Sequence, residues 1–326
     1  MDLASLRLIT AALLAAAPIA AQSTEAPAYP TKPIRLLVSG APGTPPDALA
    51  RIVTEPLGAA LGKPVLVENR PGGSGALALG VVARSAPDGY TLATIGLPQI
   101  VAPSLVHEIS YDTIRDLAPV IQLTWSANVL VVRASSPVKT VAGLVELARA
   151  RPGALTYASG GNGTPSHLAL ELLKHHAGID IRHIPYKGIA SGLAAIMSEQ
   201  VDVAFAGAAT ALPLINGGRL RALATAGAQR LPALPELPTI AELGFVGYQQ
   251  NEWYGVVAPA GTPPQVIAKL AAELARIVAS PQTRSRLANL GLYPVENSGP
   301  GELGALIRAE LPRWRKIVRE AGIRAD

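Results

Sequence analysis

The triplet Gly-Thr-Pro occurs three times in this 326-residue chain, at Gly43-Thr44-Pro45, Gly163-Thr164-Pro165 and Gly261-Thr262-Pro263. Each triplet follows a short apolar run and opens a long amphipathic one. Gly permits a tight turn, Thr is a good helix N-cap, and Pro suits the first helical position. Each triplet therefore reads as a strand passing into a helix whose first N–H groups are available to an anion. The first two sit in polar, Gly-rich surroundings and read as two cradles that hold one ligand between them.

Strand–helix alternation extends over most of the chain. Apolar, β-branched runs bounded by turn residues lie at 34–39, 65–68, 91–95, 128–133, 155–158, 183–185, 201–205, 220–225 and 254–258. Helix-period runs lie at 46–61, 75–84, 140–150, 166–177, 188–198 and 264–279. In the last of these Val266, Ile267, Leu270, Leu274 and Ile277 share a face that Lys269, Glu273 and Arg276 avoid. Short turns between alternating runs predict an α/β fold with mostly parallel, buried sheets. After Pro263 the pattern predicts helices only, at 263–279, 281–290 and 300–321, packed back on the first domain. At ~100–200 residues per domain the length predicts two domains. No Gly/Ser-rich linker separates them, so the chain should cross through ordered strands at 128–133 and 253–258, which makes the first domain discontinuous.

Composition removes several classes of function. The net charge of +5 is diffuse, and its densest cluster, Arg313-Trp314-Arg315-Lys316, lies at helical spacing with Glu310 and Glu320. It reads as a solvated helix face, not a nucleic-acid patch, and 4% aromatic residues supply few stacking platforms. The absence of Cys excludes disulfides, thiolate catalysis, Cys-based zinc sites and a lipidated Cys anchor. Arg7, the apolar stretch 8–17 and the small residues after it predict a signal peptide over 1–21, cleaved after Ala21 or alternatively after Ala28. The exported product should then be a soluble periplasmic protein.

The first loop is Ser39-Gly40-Ala41-Pro42-Gly43-Thr44-Pro45-Pro46-Asp47. Thr44 as N-cap, Pro45 after it and Asp47 at the third helical position form a variant capping box beyond the carboxyl end of a buried strand. The second loop is Ser159-Gly160-Gly161-Asn162-Gly163-Thr164-Pro165-Ser166-His167. Three Gly, an Asn and three hydroxyls exceed what a connector needs and suit a carboxylate, which accepts several hydrogen bonds. Neither loop ends in the Gly-Lys-[Ser/Thr] of a P-loop. Gly73-Ser74-Gly75 lacks the third Gly of a dinucleotide fingerprint and reads as a turn, so no cofactor is expected.

Catalytic readings find little support. His167 and His175 lie about 12 Å apart along a helix, too far to share a metal ion. No His-Glu-x-x-His pattern occurs, and Gly72-Gly73-Ser74-Gly75 fails as a nucleophile elbow. The expectation is a binding protein with no catalytic residues and no metal.

The chain resembles the substrate-binding receptors of tripartite tricarboxylate transporters, the Bug family, from about Tyr29 to Ile323. The matching stretches are Tyr29-Pro30-Thr31-Lys32-Pro33-Ile34-Arg35, Val67-Glu68-Asn69-Arg70-Pro71-Gly72 and Ala86-Pro87-Asp88-Gly89-Tyr90-Thr91-Leu92. They continue with Tyr157-Ala158 running into the second loop, His183-Ile184-Pro185-Tyr186-Lys187-Gly188 and Ala258-Pro259-Ala260 before the third triplet. The resemblance implies a type II periplasmic binding protein, two α/β lobes joined by two crossover strands, with lobe 1 at 22–127 plus 252–326 and lobe 2 at 128–251. It implies a small organic carboxylate held in the interlobe cleft and delivered to membrane permease subunits, with the receptor a monomer. Carried over by position, Ser39, Gly40, Ala41, Pro42, Gly43, Thr44 and Asp47 line the cleft from lobe 1. Ser159, Gly160, Gly161, Asn162, Gly163, Thr164 and Ser166 line it from lobe 2. Gly96 in the turn Gly96-Leu97-Pro98, the hinge residue Asn128, and Ala206 complete the expected set, while Asn69 and Arg70 read as structural.

Two departures bear on the ligand. The family's usual first loop carries a Phe that this chain lacks, and an extra Pro pair replaces it. The run 201–205 is followed by Ala206-Gly207 where relatives often place an acidic residue, which argues against a cationic amine. The alternative within the same fold is a receptor that signals to a membrane sensor instead of a permease.

Overall fold

In lobe 1 the apolar runs pair as a sheet because both of their faces are covered. The structure, a computed structural model, describes residues 29–106 and 108–323; the expected leader and its cleavage points lie outside the described residues. Strand β1 (Ile34–Val38) is buried except at Arg35, and helix α1 (Pro45–Leu61) returns the chain to β2 (Val65–Asn69). A short turn at Gly73–Gly75, helix α2 (Ala76–Ala83), the fully buried β3 (Thr91–Gly96) and helix α3 (Leu97–Leu105) follow. The parallel strands order as β2–β1–β3.

The next strand, β4 (Leu117–Arg133), is 17 residues long and belongs to both lobes. Past it come α4 (Val141–Ala150), β5 (Thr156–Ser159), α5 (Pro165–Ala177) and β6 (Arg182–Pro185). Helix α6 (Ile189–Met197), β7 (Val203–Gly207), α7 (Ala208–Asn216) and β8 (Leu220–Thr225) complete lobe 2. Here β5 pairs in parallel with β6 and β7, and β4 runs antiparallel to β7 and β8. The chain returns through β9 (Asn251–Pro259), antiparallel to β3 and β4, and ends with α8 (Pro264–Ala279), α9 (Pro281–Ala288), β10 (Tyr293–Pro294) and α10 (Pro300–Glu320).

Strand β4 changes partners at the crossing: Leu117 to Ala127 align with β9, and Asn128 to Val132 with β7. Each lobe thus has the order outer strand, first strand, third strand, crossing strand: β2–β1–β3–β9 in one and β6–β5–β7–β4 in the other. The fold is the expected α/β type, two lobes joined by two crossover strands. Leu303, Ile307, Trp314 and Val318 of α10 are buried in the largest core cluster, alongside Leu97, Ile100 and Val101 of α3, so the C-terminal helix packs on lobe 1.

Four local expectations are corrected. The segment after Pro263 is not purely helical, because β10 pairs with Thr124 and Trp125 of β4. Gly96-Leu97-Pro98 is not a loop: α3 starts directly after Gly96, whose N–H donates to Gln99 Oε1 at 2.8 Å. A helix, α7, likewise follows Gly207 where none was expected. The third Gly-Thr-Pro triplet does not lie near the hinge. It follows Pro259, which pairs with Leu117 at the end of β9 remote from the crossing, and Pro263, not Thr262, occupies the N-cap position of α8.

Candidate functional site

The first two triplets adopt nearly the same conformation in the two lobes. Thr44 caps α1 at φ −78° and ψ 160°, and Thr164 caps α5 at φ −71° and ψ 157°. Each is preceded by a left-handed Gly, Gly43 at φ 81° and Gly163 at φ 71°. Neither Thr side chain caps forward into its helix. Each hydroxyl donates backward across the turn at 2.6 Å, Thr44 Oγ1 to the Ala41 carbonyl and Thr164 Oγ1 to the Gly161 carbonyl. The third helical residue then reaches back to the Gly N–H: Gly43 donates to Asp47 Oδ2 at 2.9 Å, and Gly163 donates to His167 Nδ1 at 3.1 Å. One loop design is built twice, on β1–α1 and on β5–α5.

The supports beneath the loops differ. Asp47 is 3% exposed and also accepts from Asn69 Nδ2 at 2.9 Å and from Arg51 Nε. Asn69 Nδ2 lies 3.0 Å from the Gly40 carbonyl as well, so the end of β2 ties the loop down. Burial pushes the Asp47 carboxyl up, but bonds from Arg51, Gly43 and Asn69 outweigh it and hold the group below its ordinary range. Asn69 thus has the structural role expected of it, and Asp47 spends its carboxylate inside the loop.

Under the second loop lies an aromatic stack. The His167 and His183 rings are 4.3 Å apart at 17°, and Tyr157 stacks on His183 at 4.6 Å. Ser159 Oγ sits 2.6 Å from His183 Nε2 and accepts from Gly161 N at 3.0 Å. Tyr157 donates to Glu171 Oε1, which also accepts from Lys174. His167 and His183 are therefore packed as flat supports beneath the loop.

Much of the second loop's donor capacity is used internally. The N–H groups of Gly160, Gly161, Gly163 and Thr164 donate to Ser166 Oγ, Ser159 Oγ, His167 Nδ1 and the Gly161 carbonyl. The Thr164 proton is also committed to Gly161, so in the 3.1 Å contact between Ser166 Oγ and Thr164 Oγ1 the Ser166 hydroxyl is the donor, and that bond is the one a ligand carboxylate could take over. A carboxylate at this loop would meet hydroxyls more than bare backbone donors.

The lobes approach each other at this loop. A Cβ added at Gly163 would come 2.9 Å from Leu105 Cδ1 and 3.6 Å from Ser74 Oγ, both on lobe 1. Ser74 has a left-handed φ of 52° and its carbonyl accepts from Gln99 Nε2 at 3.0 Å. Gly75 is close to Gln99 and to Ser39, whose hydroxyl lies 3.4 Å from Thr94 Oγ1. The segment Gly73-Ser74-Gly75, read from sequence as a simple turn, therefore lies between the two loops. Its left-handed Ser was the missed signal.

The remaining expected residues gather at the strand crossing. Gly96 is buried at the carboxyl end of β3, opposite Tyr254, and a Cβ there would meet the Trp253 carbonyl at 2.7 Å. Asn128 is 1% exposed, aligns with Gly207 and donates from Nδ2 to Gln250 Oε1 at 2.9 Å. Ala206 is fully buried, with its methyl in the lobe 2 core, so the neighbouring Gly207 is the more accessible of the two. Ala41, Pro42 and Gly43 are exposed at the tip of the first loop. Absent from the expected set are Gln250, just before β9, and Glu252 on β9, which both adjoin Asn128.

Comparison with known proteins accords with this geometry. The model of the tripartite tricarboxylate transporter family receptor matches residues 49–323. A Cupriavidus necator protein described by its place in the gbd 5' region is 37% identical over 286 residues, 87% of this chain and 86% of its own. The protein BugT of Bordetella pertussis is 33% identical over 324 residues, 99% of each chain. A solved R. palustris protein with adipate has a TM-score of 0.79 and 35% identity, covering 90% of this chain and 99% of its own. The MatC protein from Rhodopseudomonas palustris with bound malate has a TM-score of 0.77 and 31% identity, covering 89% and 100%. With its fold, its paired loops and these relatives, the chain belongs to the tripartite tricarboxylate transporter receptor family, whose members are solute-binding receptors and not enzymes.

Proposed function

We propose that this chain is an exported, periplasmic receptor that binds a small organic carboxylate between its lobes. It delivers that ligand, as a monomer, to membrane permease subunits of a tripartite transporter. Lobe 1 comprises 22–127 with 252–326, and lobe 2 comprises 128–251. The observation that carries the reading is the doubled Gly-Thr-Pro loop, one at the start of α1 and one at the start of α5. Two helix starts together with Ser and Thr hydroxyls suit the binding of an anion. Adipate and malate in the two solved relatives make dicarboxylates the first class to try. Among the described residues no helix is long and apolar enough to cross a membrane, which fits a receptor that meets its permease as a separate subunit.

A thermal-shift screen of residues 29–326 against mono-, di- and aromatic carboxylates tests this reading. Binding to the folded state alone stabilises by about 2.7 kcal/mol at a hundredfold excess over Kd. A raised midpoint for one structural class of carboxylate is expected. A flat response across the panel would overturn the carboxylate assignment.

A further inference from the structure

At the lobe crossing, three polar side chains from β4 and from the segment that runs into β9 form one connected group. Asn128 on β4 donates from Nδ2 to Gln250 Oε1 at 2.9 Å, although the two are 122 residues apart. Gln250 is fully buried, and its Nε2 has no hydrogen-bond partner. Glu252, two residues on, aligns with Ser126 of β4 and lies within reach of Asn128. Glu252 stands across the ladder from Ser126, and Gln250, just ahead of β9, meets Asn128 next to that pair. Ser126 is already engaged, donating to the Gly291 carbonyl at 2.6 Å.

The group lies where open α/β sheets take ligands, beyond the carboxyl ends of strands. Gly96 ends β3 beside Tyr254, and Gly207 ends β7 beside Asn128. An unpartnered, buried amide N–H destabilises the fold unless an acceptor arrives. The orphaned Gln250 amide therefore calls for an oxygen from outside the protein. Resting on the carboxylate reading above, we propose that Asn128, Gln250 and Glu252 form a hinge subsite for the second carboxyl group of a dicarboxylate. Gln250 donates through Nε2, and the Glu252 carboxyl shares its proton with the ligand carboxylate.

An ionised Glu252 would repel a ligand carboxylate, so its protonation state decides the outcome. Burial pushes this carboxyl up to about 7, against a hydrogen bond from Asn128 that lowers it. The groups facing it are Ser126 and Asn128 from β4, Gln250 just before β9, and Tyr254 on β9. The charge of Glu252 in turn adds to burial in holding the Tyr254 phenol above its ordinary range. Below neutrality Glu252 carries the proton, and a carboxyl–carboxylate hydrogen bond of the strong, charge-assisted kind can form. The carboxylate missing after the 201–205 run is thus supplied from β9, in a form that favours a second acid group over an amine.

The test is calorimetric titration of adipate and malate into residues 29–326 between about pH 5.5 and about pH 8.5, beside Glu252→Gln and Gln250→Leu. Affinity of the unmodified protein should weaken toward tenfold per pH unit above about 7. Glu252→Gln keeps a donor that does not titrate, so it should bind with a nearly flat pH profile. Gln250→Leu should weaken binding tenfold or more, with its unfolding midpoint in the absence of ligand confirming that it is folded. If the dicarboxylates bind but the pH slope survives in Glu252→Gln, or Gln250→Leu binds as well as the parent, the hinge subsite is wrong while the receptor reading stands. If no carboxylate binds the unmodified protein, both fall together.

Discussion

Asp47 and Ser166 are both expected ligand contacts, but they are not alike. Asp47 accepts from the Gly43 N–H, Arg51 and Asn69, so its removal strands donors that were paired in a buried place. Asp47→Ala should lower stability by about 1–3 kcal/mol, visible as a reduced urea midpoint, and Asp47→Asn should recover part of that by keeping an acceptor. Equal midpoints for all three proteins would show that the loop does not depend on this carboxylate. Ser166 accepts from Gly160 and donates to Thr164 Oγ1, a bond it can exchange for one to a ligand carboxylate. Ser166→Ala should weaken carboxylate binding about tenfold, near 1.4 kcal/mol, in titration calorimetry. An unchanged Kd would remove this hydroxyl from the site. The sequence made both residues visible as helix-start chemistry, because the Gly-Thr-Pro turn is a local signal. It did not show which one spends its side chain inside the loop, since Asp47 is settled by Asn69, 22 residues away. Gln250 and Glu252 were hidden for the same reason, as Gln250 meets Asn128 only through the pairing of two distant strands.

At the scale of elements, a helix or strand was legible where the local pattern was clean. Strands β1, β3 and β8 and helices α1, α5 and α8 have apolar periods that match their surroundings, so their positions follow from the residues alone. Only the second half of β4 was recognised as a strand. Register shifts near Pro119 and Gln122 break the period of two in its first half. Helices α3 and α7 were missed because each starts directly from the strand before it and contains a Pro, at Pro98 and Pro103 in one and Pro213 in the other. The end of α3 matters, since Leu105, together with Ser74 of the turn before α2, lies against Gly163 across the lobes. Gly163 combines a left-handed backbone with a contact that leaves no room for a methyl group. Gly163→Ala should therefore hold the lobes further apart and weaken binding mainly through faster dissociation, read by stopped-flow displacement. Unaltered dissociation would mean that this contact plays no part in closure.

The whole molecule is two copies of one α/β plan joined by β4 and β9, and its hinge carries a carboxyl that titrates near neutrality. Glu252 has an ordinary value of 4.5, and burial in the folded protein moves it to about 7. A carboxyl raised by folding binds its proton more tightly in the folded state. Its contribution to stability is therefore fully present below about 4.5 and is lost as pH rises through about 7. Glu252→Gln removes that titration while preserving size and a hydrogen-bond donor. Urea unfolding of the ligand-free protein should therefore show parent and variant similar near about pH 4.5, and the variant the more stable at about pH 8. The difference should grow through the interval and level off above it, because no further proton is lost from Glu252 in either state. A difference that stays constant with pH would mean that folding does not shift the titration of Glu252. The ionised parent would then pay its penalty at the hinge, between the lobes, and ligand closure would have to overcome that penalty at alkaline pH. Small-angle scattering with saturating dicarboxylate should accordingly show the parent closing less completely at about pH 8 than at about pH 6, and Glu252→Gln closing equally at both.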